Sequence, residues 1–525
     1  MERLFGLETE YGLQVDGDAE ADMVAESLAV VRAWNPDDSD PSWDYASEDP
    51  RLDLRGFRVD RPHADAEIQQ ETRHLRPEQV EANQHGDRIL CNGARLYNDH
   101  THPEYSTPEC ARLFDLVASD RAGERIMLEC ARRRTQARSS GRLRLFKNNT
   151  DFKGHSYGCH ENHLIGRQIG FDQVVAGLVP FLVTRQIYTG AGKVGLEGES
   201  GPPGACYQLT QRADFFRTLV GIDTMDRRAL VNTRDEPHAD PRRYRRLHII
   251  TGDANMSQFA TALKVGTLAL VLELLQAGAM PDIRLLDPVT AFRAVSRDPG
   301  REWPVPLEGG GHSCALDVQQ CLLHAVSAYS AGRDAETDWI LHHWQAVLEE
   351  LGRDPQQLVG RVDWVTKEWL LQRFTAAEGL DWNDPQHLGW LQSQDLQYHS
   401  IDPAEGLYRG LEAQGVAWCL VAEDRCRRAV AAPPGDTRAY FRGRCLERFG
   451  AAVRRLTWDR IELELDAGLV SIDLSNCLAT STVAAYNRAV DQADSAENLI
   501  SVLHNLEPPA AGDRTGLAPP QEHDT

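Results

Sequence analysis

The sequence lacks the signals that mark secreted and membrane proteins. Its 11 cysteines are an odd number without regular spacing along 525 residues, so the disulfide framework of a secreted domain is not predicted. It has no N-terminal signal peptide and no unbroken apolar run of about 18 residues, the length that a membrane helix needs. We therefore expect a cytoplasmic protein without a membrane partner.

An excess of positive charge is also missing. The formal net charge is −23 at pH 7, whereas general binding to nucleic acid or to an anionic membrane requires a basic surface. The composition therefore argues against both kinds of partner, and it leaves room only for a local basic groove.

Two familiar ligand signatures are absent as well. Cys159 and His160 stand side by side, but neither CxxC nor HExxH accompanies them, so zinc is not favoured. The glycine-rich stretch 189–195 lacks the GxxxxGK[ST] pattern and the strand-then-helix order of a phosphate loop. We predict that this stretch is a flexible loop.

Length and composition predict the domain organisation. The chain is much longer than a typical domain of about 100–200 residues, so we expect a catalytic domain at 1–430 with smaller attachments. A polar segment at 35–75, rich in charge, proline and aspartate, is predicted to be a long mobile loop. Pro433-Pro434-Gly435 marks the start of a small C-terminal domain at 431–505. The Pro-, Ala- and Gly-rich tail at 506–525 is predicted to be disordered.

Apolar periodicity predicts helices in both halves of the chain, and the chain beyond residue 300 is predicted to be mostly helical. Helical spacing of apolar residues predicts helices at 19–34, 120–137, 171–186, 258–277, 315–331, 336–351 and 363–375. The helix at 258–277 carries so little charge that we expect it to be buried against a sheet. Short alternating segments between the helices predict strands, and these strands carry the candidate chemistry.

The candidate catalytic strand lies in the stretch 92–110. As a strand, it places Arg95, Tyr97 and Asp99 on one face, because side chains two residues apart point the same way. A solvated face is the ordinary alternative for such a pattern. A second carboxylate, Glu104, follows within a few residues and favours a functional cluster.

The N-terminus repeats this pattern of polar residues. In the extended run 5–12, Glu8 and Glu10 point to the same side. Two carboxylates on one face repel each other unless a cation lies between them, and an exposed sheet edge is the alternative. Oxygen ligands from carboxylates and a phenol suit Mg²⁺, which is usually bound through a few carboxylates and the phosphates of a nucleotide.

Basic residues provide positive charge for the candidate site. In the segment 242–255, Arg246 and His248 share a face of the predicted strand. A guanidinium group can bind phosphate through two parallel hydrogen bonds to its oxygens. A solvated basic ladder is the alternative. A further strand at 156–162 would place His160 and Asn162 on one side.

Several stretches together resemble a known family. They are Glu8-Thr9-Glu10-Tyr11-Gly12, the stretch 92–110, Lys147-Asn148-Asn149-Thr150-Asp151, residues 156–162 and residues 232–240. These motifs resemble the Pup ligase and Pup deamidase family of the bacterial proteasome system, and the resemblance extends from residue 1 to about 480. The resemblance implies an α+β fold with a glutamine synthetase-like large domain, a curved and mainly antiparallel sheet backed by helices, and a small C-terminal domain.

The resemblance also implies ATP and Mg²⁺ as cofactors and a role for each site residue. Asp99 is the implied catalytic carboxylate, either as a nucleophile or as the activator of a water molecule. Nucleotide contacts are implied for Arg95, Thr107, Arg234, Arg246 and Trp458. Metal ligands are implied for Glu8, Glu10, Tyr97, Glu104, His160 and His248.

Two features favour the deamidase and depupylase branch of the family. The segment 35–75 stands where the deamidases carry an insertion that the ligases lack, and the path from Asp99 to Glu104 is one residue shorter than the usual ligase pattern. This branch implies an enzyme that deamidates the C-terminal glutamine of Pup, or of a Pup-like modifier, and cleaves the isopeptide bond between the modifier and substrate lysines.

Two alternatives to this branch stay open. The first is a Pup–protein ligase that forms the isopeptide bond with ATP hydrolysis. The second is a non-catalytic relative that only binds nucleotide or modifier. In each case we expect a monomer or a weak oligomer.

Overall fold

The structure is a computed structural model that describes residues 3–35, 41–45, 48–59, 86–197, 206–224, 227–382 and 384–506. Its strands are β1 Phe5–Glu10, β2 Gly12–Val15, β3 Ser42–Trp43, β4 Arg88–Ile89, β5 Arg95–Asp99, β6 His102–Ser106, β7 Leu143–Phe146, β8 Cys159–Gly166, β9 Lys193–Val194, β10 Tyr207–Gln208, β11 Phe216–Gly221, β12 Arg228–Asn232, β13 Tyr244–Ile249, β14 Pro304–Pro306, β15 His312–Cys314, β16 Val453–Leu456, β17 Arg460–Leu465 and β18 Gly468–Asp473. Its helices are α1 Met23–Arg32, α2 Leu113–Ala137, α3 Phe171–Thr184, α4 Gln186–Thr189, α5 Gln258–Gln276, α6 Pro288–Arg297, α7 Ala315–Ser330, α8 Ala335–Arg353, α9 Asp363–Glu378, α10 Leu388–Tyr398, α11 Leu407–Ala413, α12 Glu423–Ala431, α13 Arg438–Phe449, α14 Thr480–Gln492 and α15 Ala496–His504.

A six-stranded sheet in the order β13-β8-β1-β6-β5-β4 carries the candidate site. Every neighbouring pair in it is antiparallel. Strand β1 lies between β6 and β8, so Glu8 and Glu10 do not stand on an exposed edge. The predicted α+β fold with a mainly antiparallel sheet backed by helices is confirmed.

The two faces of this sheet differ in polarity because apolar and polar residues alternate along its strands. On one face, Leu7, Tyr105 and Leu247 are buried, and this face packs against α2 and α5. The opposite face carries the acidic, basic and imidazole side chains that the sequence indicated. Because side chains alternate between the two faces of a strand, the apolar residues pack into the core and the candidate site residues lie on the opposite face.

Helix α5 is the central helix of the main core. The side chain of Ser257 caps its first turn by accepting a hydrogen bond from Ala260 N at 3.2 Å. By length and composition α5 would be able to cross a membrane, but all of its apolar segment is buried inside the fold. The predicted burial of this helix is confirmed.

A second hydrophobic core lies in the C-terminal part. Strands β18, β17, β16 and β3 form a four-stranded sheet, in which β3 pairs in parallel with β16. Phe441, Ile461 and Leu499 join helices α13 to α15 to this sheet, and Trp43 and Ile89 enter the same core from the first hundred residues. The predicted domain boundaries stay predictions.

The predicted insertion at 35–75 is described at residues 35, 41–45 and 48–59, and the remainder lies outside the described residues. Trp43 contacts Trp458 edge to face, with 5.3 Å between the ring centroids. Farther along, Leu54 N donates a 2.7 Å hydrogen bond to the carbonyl of Thr233. The described parts of the segment thus lie against the loop that follows β12 and against the C-terminal core.

Two predictions from the sequence differ from the structure. Residues 189–195 are buried, and Ala191 N and Val194 N donate to the carboxylates of Asp253 and Asp395 at 2.8 Å. The prediction of a flexible loop there was wrong, because acidic groups distant in sequence satisfy its backbone. Helix α2 begins at Leu113 rather than at residue 120, since its apolar stripe continues toward the N-terminus.

Candidate active site

The register of the sheet brings the predicted residues together. Glu8 lies opposite His160 on β8, and Glu10 lies opposite Glu104 on β6. Glu104 in turn lies opposite Tyr97 on β5. Because directly opposed residues point to the same face, four strands place carboxylates, a phenol and an imidazole side by side.

The first cluster of side chains consists of Glu8, His160 and His248. One possible ligand atom from each lies within 4.8 Å of the others. His160 Nδ1 and His248 Nε2 lie 3.3 Å and 3.5 Å from Glu8 Oε2. Glu8 Oε1 accepts a 2.9 Å hydrogen bond from Asn162, and a guanidinium nitrogen of Arg246 lies 3.4 Å away. One oxygen of Glu8 is thereby oriented, and the other faces two imidazoles.

His248 has the properties of a metal ligand. It is buried, and among the described residues neither of its ring nitrogens has a hydrogen-bond partner. Burial lowers the pKa of His248 well below its usual value, which keeps the imidazole in the neutral, metal-binding form. Since a buried polar atom without a partner is costly, the cluster of one carboxylate and two imidazoles fits a divalent cation.

The second cluster is acidic and consists of Glu10, Asp99 and Glu104. A carboxylate oxygen from each lies within 4.8 Å of the others, and Tyr97 donates a 2.5 Å hydrogen bond to Glu104. Burial and the neighbouring carboxylates raise the pKa of Glu104 well above its usual value, and burial together with Asp99 raises the pKa of Glu10. Carboxylates this close resist joint ionisation. Their hard oxygen donors therefore fit Mg²⁺, whose charge would remove that conflict.

Asp99 opens onto a groove beside these clusters, which Glu10, His160 and Arg212 also line. His100 Nδ1 lies 2.9 Å from Asp99 Oδ1. The charge of Asp99 outweighs burial and raises the pKa of His100 to about 9. His100 is therefore protonated at neutral pH, and its charge lies directly beside the carboxylate of Asp99.

A pocket lies on the other side of Glu8, and Thr107, Asn162, Arg246, Arg438 and Trp458 line it. Thr107 Oγ1 accepts a 3.0 Å hydrogen bond from Leu7 N, which fixes the hydroxyl at the pocket wall. An aromatic ring, guanidinium groups and a hydroxyl around one cavity suit a nucleotide. The pocket and the groove thus meet at the two clusters.

Two of the five predicted nucleotide residues do not line this pocket. The guanidinium of Arg95 lies 4.1 Å from the ring centroids of both Trp43 and Tyr97. Arg234 Nε lies 3.9 Å from the carboxylate of Glu236. Thr107, Arg246 and Trp458 line the pocket, and the roles of all five residues in nucleotide binding stay predictions.

Sequence analysis missed the ion pairs that close the pocket. Glu109 accepts hydrogen bonds from Arg438 Nε at 2.7 Å and from Arg442 Nη2 at 2.6 Å. Arg442 also donates to the carbonyl of Trp458 at 3.0 Å, and its guanidinium lies 4.9 Å from that ring. The only local signal was the spacing of the two arginines, four residues apart on one helix face. Their common partner lies more than 300 residues away.

Comparisons with known proteins place the chain among relatives of one kind. The family model described as Pup-ligase protein matches residues 3–462. A depupylase from Acidothermus cellulolyticus is 44% identical over 477 residues, which cover 89% of this chain and 92% of that relative. The solved complex between the prokaryotic ubiquitin-like protein Pup and its ligase PafA is similar with a TM-score of 0.75 at 29% identity, covering 96% of this chain and 93% of that one. PafA in complex with ADP is similar with a TM-score of 0.71 at 31% identity, covering 86% and 96%.

Proposed function

The chain belongs to the Pup-ligase family, and we propose that it is a deamidase and depupylase of Pup or of a Pup-like modifier. It hydrolyses the side-chain amide of the modifier's C-terminal glutamine and cleaves the isopeptide bond between the modifier and substrate lysines. The observation that carries the proposal is the position of Asp99, which belongs to the acidic cluster and lines the groove. The name of the depupylase relative, 92% of which is covered, supports this branch over the ligase.

The same proposal includes ATP and Mg²⁺ as cofactors. The ADP bound to the PafA relative supports a nucleotide in the pocket, where Thr107, Arg246 and Trp458 would hold it. Metal would be held by Glu8, Glu10, Glu104, Tyr97, His160 and His248. Bound Mg²⁺ would supply charge that polarises the carbonyl oxygen of the amide and stabilises negative charge on it.

Asp99 would begin the reaction in one of two ways. It attacks the amide carbon and forms an anhydride that water then hydrolyses, or it accepts a proton from a water that attacks. In both cases the C–N bond breaks, and the nitrogen leaves with a proton. The products are a glutamate side chain and either ammonia or a free lysine amine.

Mass spectrometry of purified protein tests the proposal. With MgATP and Gln-ended Pup, we expect conversion of the terminal amide to the acid and one ammonia per modifier. With a Pup–lysine conjugate, we expect release of unmodified target protein. A cytoplasmic location and a monomeric or weakly oligomeric state stay predictions.

Two controls distinguish the alternatives. If Glu-ended Pup, ATP and a lysine-bearing protein give a conjugate, and Gln-ended Pup is left unchanged, then the protein is a ligase. If neither the amide nor the conjugate reacts although the modifier binds, then the protein is a non-catalytic relative.

A further inference from the structure

Part of the groove that holds Asp99 is lined by side chains rich in carbon. The rings of His102 and Tyr157 stack, with 4.2 Å between their centroids and an angle of 26° between their planes. Leu13 and Met23 line the same groove. We call these four side chains the carbon-rich wall. Aromatic and aliphatic surface of this kind favours contact with methylene groups, because both surfaces leave water on binding.

The carbon-rich wall begins beside the proposed catalytic residue. Strand register places His102 directly opposite Asp99, so both side chains lie on the same face of the sheet. His102 is half-buried, and its stacking partner Tyr157 is buried. A ligand whose amide lies at Asp99 therefore has the ring pair next to it.

Leu13 and Met23 extend the wall toward the surface. Met23 is the first residue of α1, and Ser27, one turn farther along the same helix face, donates a 2.5 Å hydrogen bond to Asn98 in β5. This contact holds the start of α1 beside the end of the catalytic strand. Both Leu13 and Met23 are half-buried, so the wall reaches from the catalytic carboxylate to solvent.

The motif at 147–149 fixes the ring of Tyr157. The Tyr157 hydroxyl donates a 2.5 Å hydrogen bond to Asn148 Oδ1, and the Tyr157 carbonyl accepts a 3.0 Å bond from Asn149 Nδ2. Gly12 leaves room for this arrangement, since a Cβ atom there would lie 2.4 Å from the Tyr157 hydroxyl. The ring is thus held in place before a ligand arrives, which lowers the entropy cost of binding.

The groove is larger than a glutamine side chain requires. Its volume is about 750 Å³, within the range of about 300–1,000 Å³ for sites that enclose a whole small-molecule ligand. Deamidation releases only ammonia, whereas an isopeptide bond also brings the four methylene groups of a lysine to the site. A lysine in amide linkage carries no charge, so its chain can lie on a carbon-rich surface without desolvation of an ion.

We propose that the carbon-rich wall binds the four methylene groups of the target lysine in a modifier–protein conjugate, with the isopeptide carbonyl at Asp99. The inference rests on the proposed function. Once the C–N bond is broken, the lysine amine takes up a proton and becomes charged, and a charged amine is better solvated by water than by such a wall. The wall therefore favours the conjugate over the free lysine and promotes release of the target protein.

A series of side-chain amides tests the inference on the wild-type protein. The probes are Pup chains whose terminal glutamate carries a methyl-, ethyl-, propyl- or butylamide, and the amines that leave from them are equally basic. We expect affinity and kcat/KM to rise about twofold to fourfold for each added methylene, the gain from half to full burial of that group. Equal values across the series overturn the inference, because the wall then contacts another part of the ligand, such as the modifier residues before the terminal glutamate.

Substitution in the wall is the second arm of the test. Met23→Gln keeps the length of the side chain but makes it polar, so most of the gain from the ethylamide to the butylamide should disappear. Val24→Gln is the matched control, because Val24 lies in the same turn of α1, is 38% exposed and is not among the described residues that line the groove. It should keep the wild-type gain. The full gain in Met23→Gln would overturn the assignment.

The two proposals fail in different ways. If affinity rises along the series but neither the alkylamides nor the unsubstituted amide are cleaved, then the proposed reaction is wrong and the wall still binds the alkyl chain. If all amides are cleaved without any dependence on chain length, then the reaction holds and the role of the wall is refuted.

Discussion

At the scale of single residues, the acidic cluster brings together carboxylates that resist joint ionisation. One carboxylate oxygen each of Glu10, Asp99 and Glu104 lies within 4.8 Å of the others, and Glu10 and Glu104 are buried whereas Asp99 is half-buried. Burial raises the pKa of Glu104, and so do the neighbouring carboxylates. Perturbed carboxylates in a cleft are typical of functional sites. Asp99, which lines the groove as well, is the member with access to a substrate.

Replacement of Asp99 by asparagine tests the catalytic role. Asp99→Asn keeps the shape of the side chain but removes its basicity and nucleophilicity, so we expect amide cleavage to fall by about a thousandfold or more. MgATP binding, measured by calorimetry, should be retained because Asp99 does not line the nucleotide pocket.

The control for this substitution is Asp282→Asn, since Asp282 is exposed and its ion pair among the described residues is with Arg284 at the surface. It should leave ammonia release unchanged. If Asp99→Asn releases ammonia at a rate near that of the wild type, the catalytic role belongs to another residue, and Glu10 and His102, which also line the groove, are the next to test. If it loses MgATP binding together with activity, Asp99 is a metal ligand.

At the scale of secondary-structure elements, helix α2 and strand β6 pack closely behind the acidic cluster. A Cβ atom on Gly123 would lie 2.7 Å from Cε1 of Tyr105. Tyr105 is buried next to Glu104 and accepts a 3.1 Å hydrogen bond from Asn92, so its ring cannot move aside freely. The glycine in α2 thus allows the approach of the strand that carries Glu104.

Gly123→Ala should destabilise the protein by about 1–3 kcal/mol in denaturant unfolding, because overpacking outweighs the better helix propensity of alanine. Gly410→Ala is the matched control in helix α11, where an added Cβ meets no atom within 4 Å. It should stabilise the protein by about 0.5–1 kcal/mol. Equal effects of the two substitutions would contradict the packing argument.

A second contact between elements joins the loop after β6 to helix α13. Burial alone would raise the pKa of Glu109, but the guanidinium groups of Arg442 and Arg438 lower it to about 2. Since this pKa lies below that of an unfolded glutamate, about 4.3, ionised Glu109 stabilises the fold at and above that pH. The stabilisation is lost as the pH falls from about 4.3 toward 2.

Glu109→Gln should therefore lower the free energy of unfolding by about 3 kcal/mol at pH 7, because it leaves two buried guanidinium groups without their carboxylate. The difference between wild type and variant should shrink as the pH approaches 2. Asp436→Asn is the control, since its exposed pair with Arg112 joins nearly the same segments and should change stability by at most about 1 kcal/mol. A pH-independent difference would contradict the assignment to ionised Glu109.

At the scale of the whole molecule, the pocket proposed to bind nucleotide lies between the two hydrophobic cores. Glu8, Thr107 and Arg246 line it from the six-stranded sheet, and Arg438 and Trp458 line it from the C-terminal part. A ligand that touches both parts stabilises their association by mass action, by about 2.7 kcal/mol at a hundred times its Kd.

Hydrogen exchange measures this coupling. MgATP should slow amide exchange in β1 and β6 and, to a similar degree, in β16 and β17. Helix α7, which does not line the pocket, serves as the internal reference and should change little. Protection limited to the large sheet would contradict a nucleotide shared between the two cores.

The sequence by itself determined the faces of the strands and the identity of the family. Alternation placed Glu8 with Glu10, Arg95 with Tyr97 and Asp99, and Arg246 with His248, because the strand period is a local property of the backbone. The low charge of the segment 258–277 was enough to predict a buried helix. The motifs of the first 240 residues were long enough to indicate the relatives that the comparisons found.

Only the tertiary structure decided which of these faces meet and which charges are paired. Strand register sets Glu8 beside His160, and it depends on packing between segments about 150 residues apart. The same long-range packing gives Glu109 two arginines. It also turns Arg95 toward Trp43 rather than into the pocket. Such pairings result from contacts between distant segments, and no local pattern in the sequence records them.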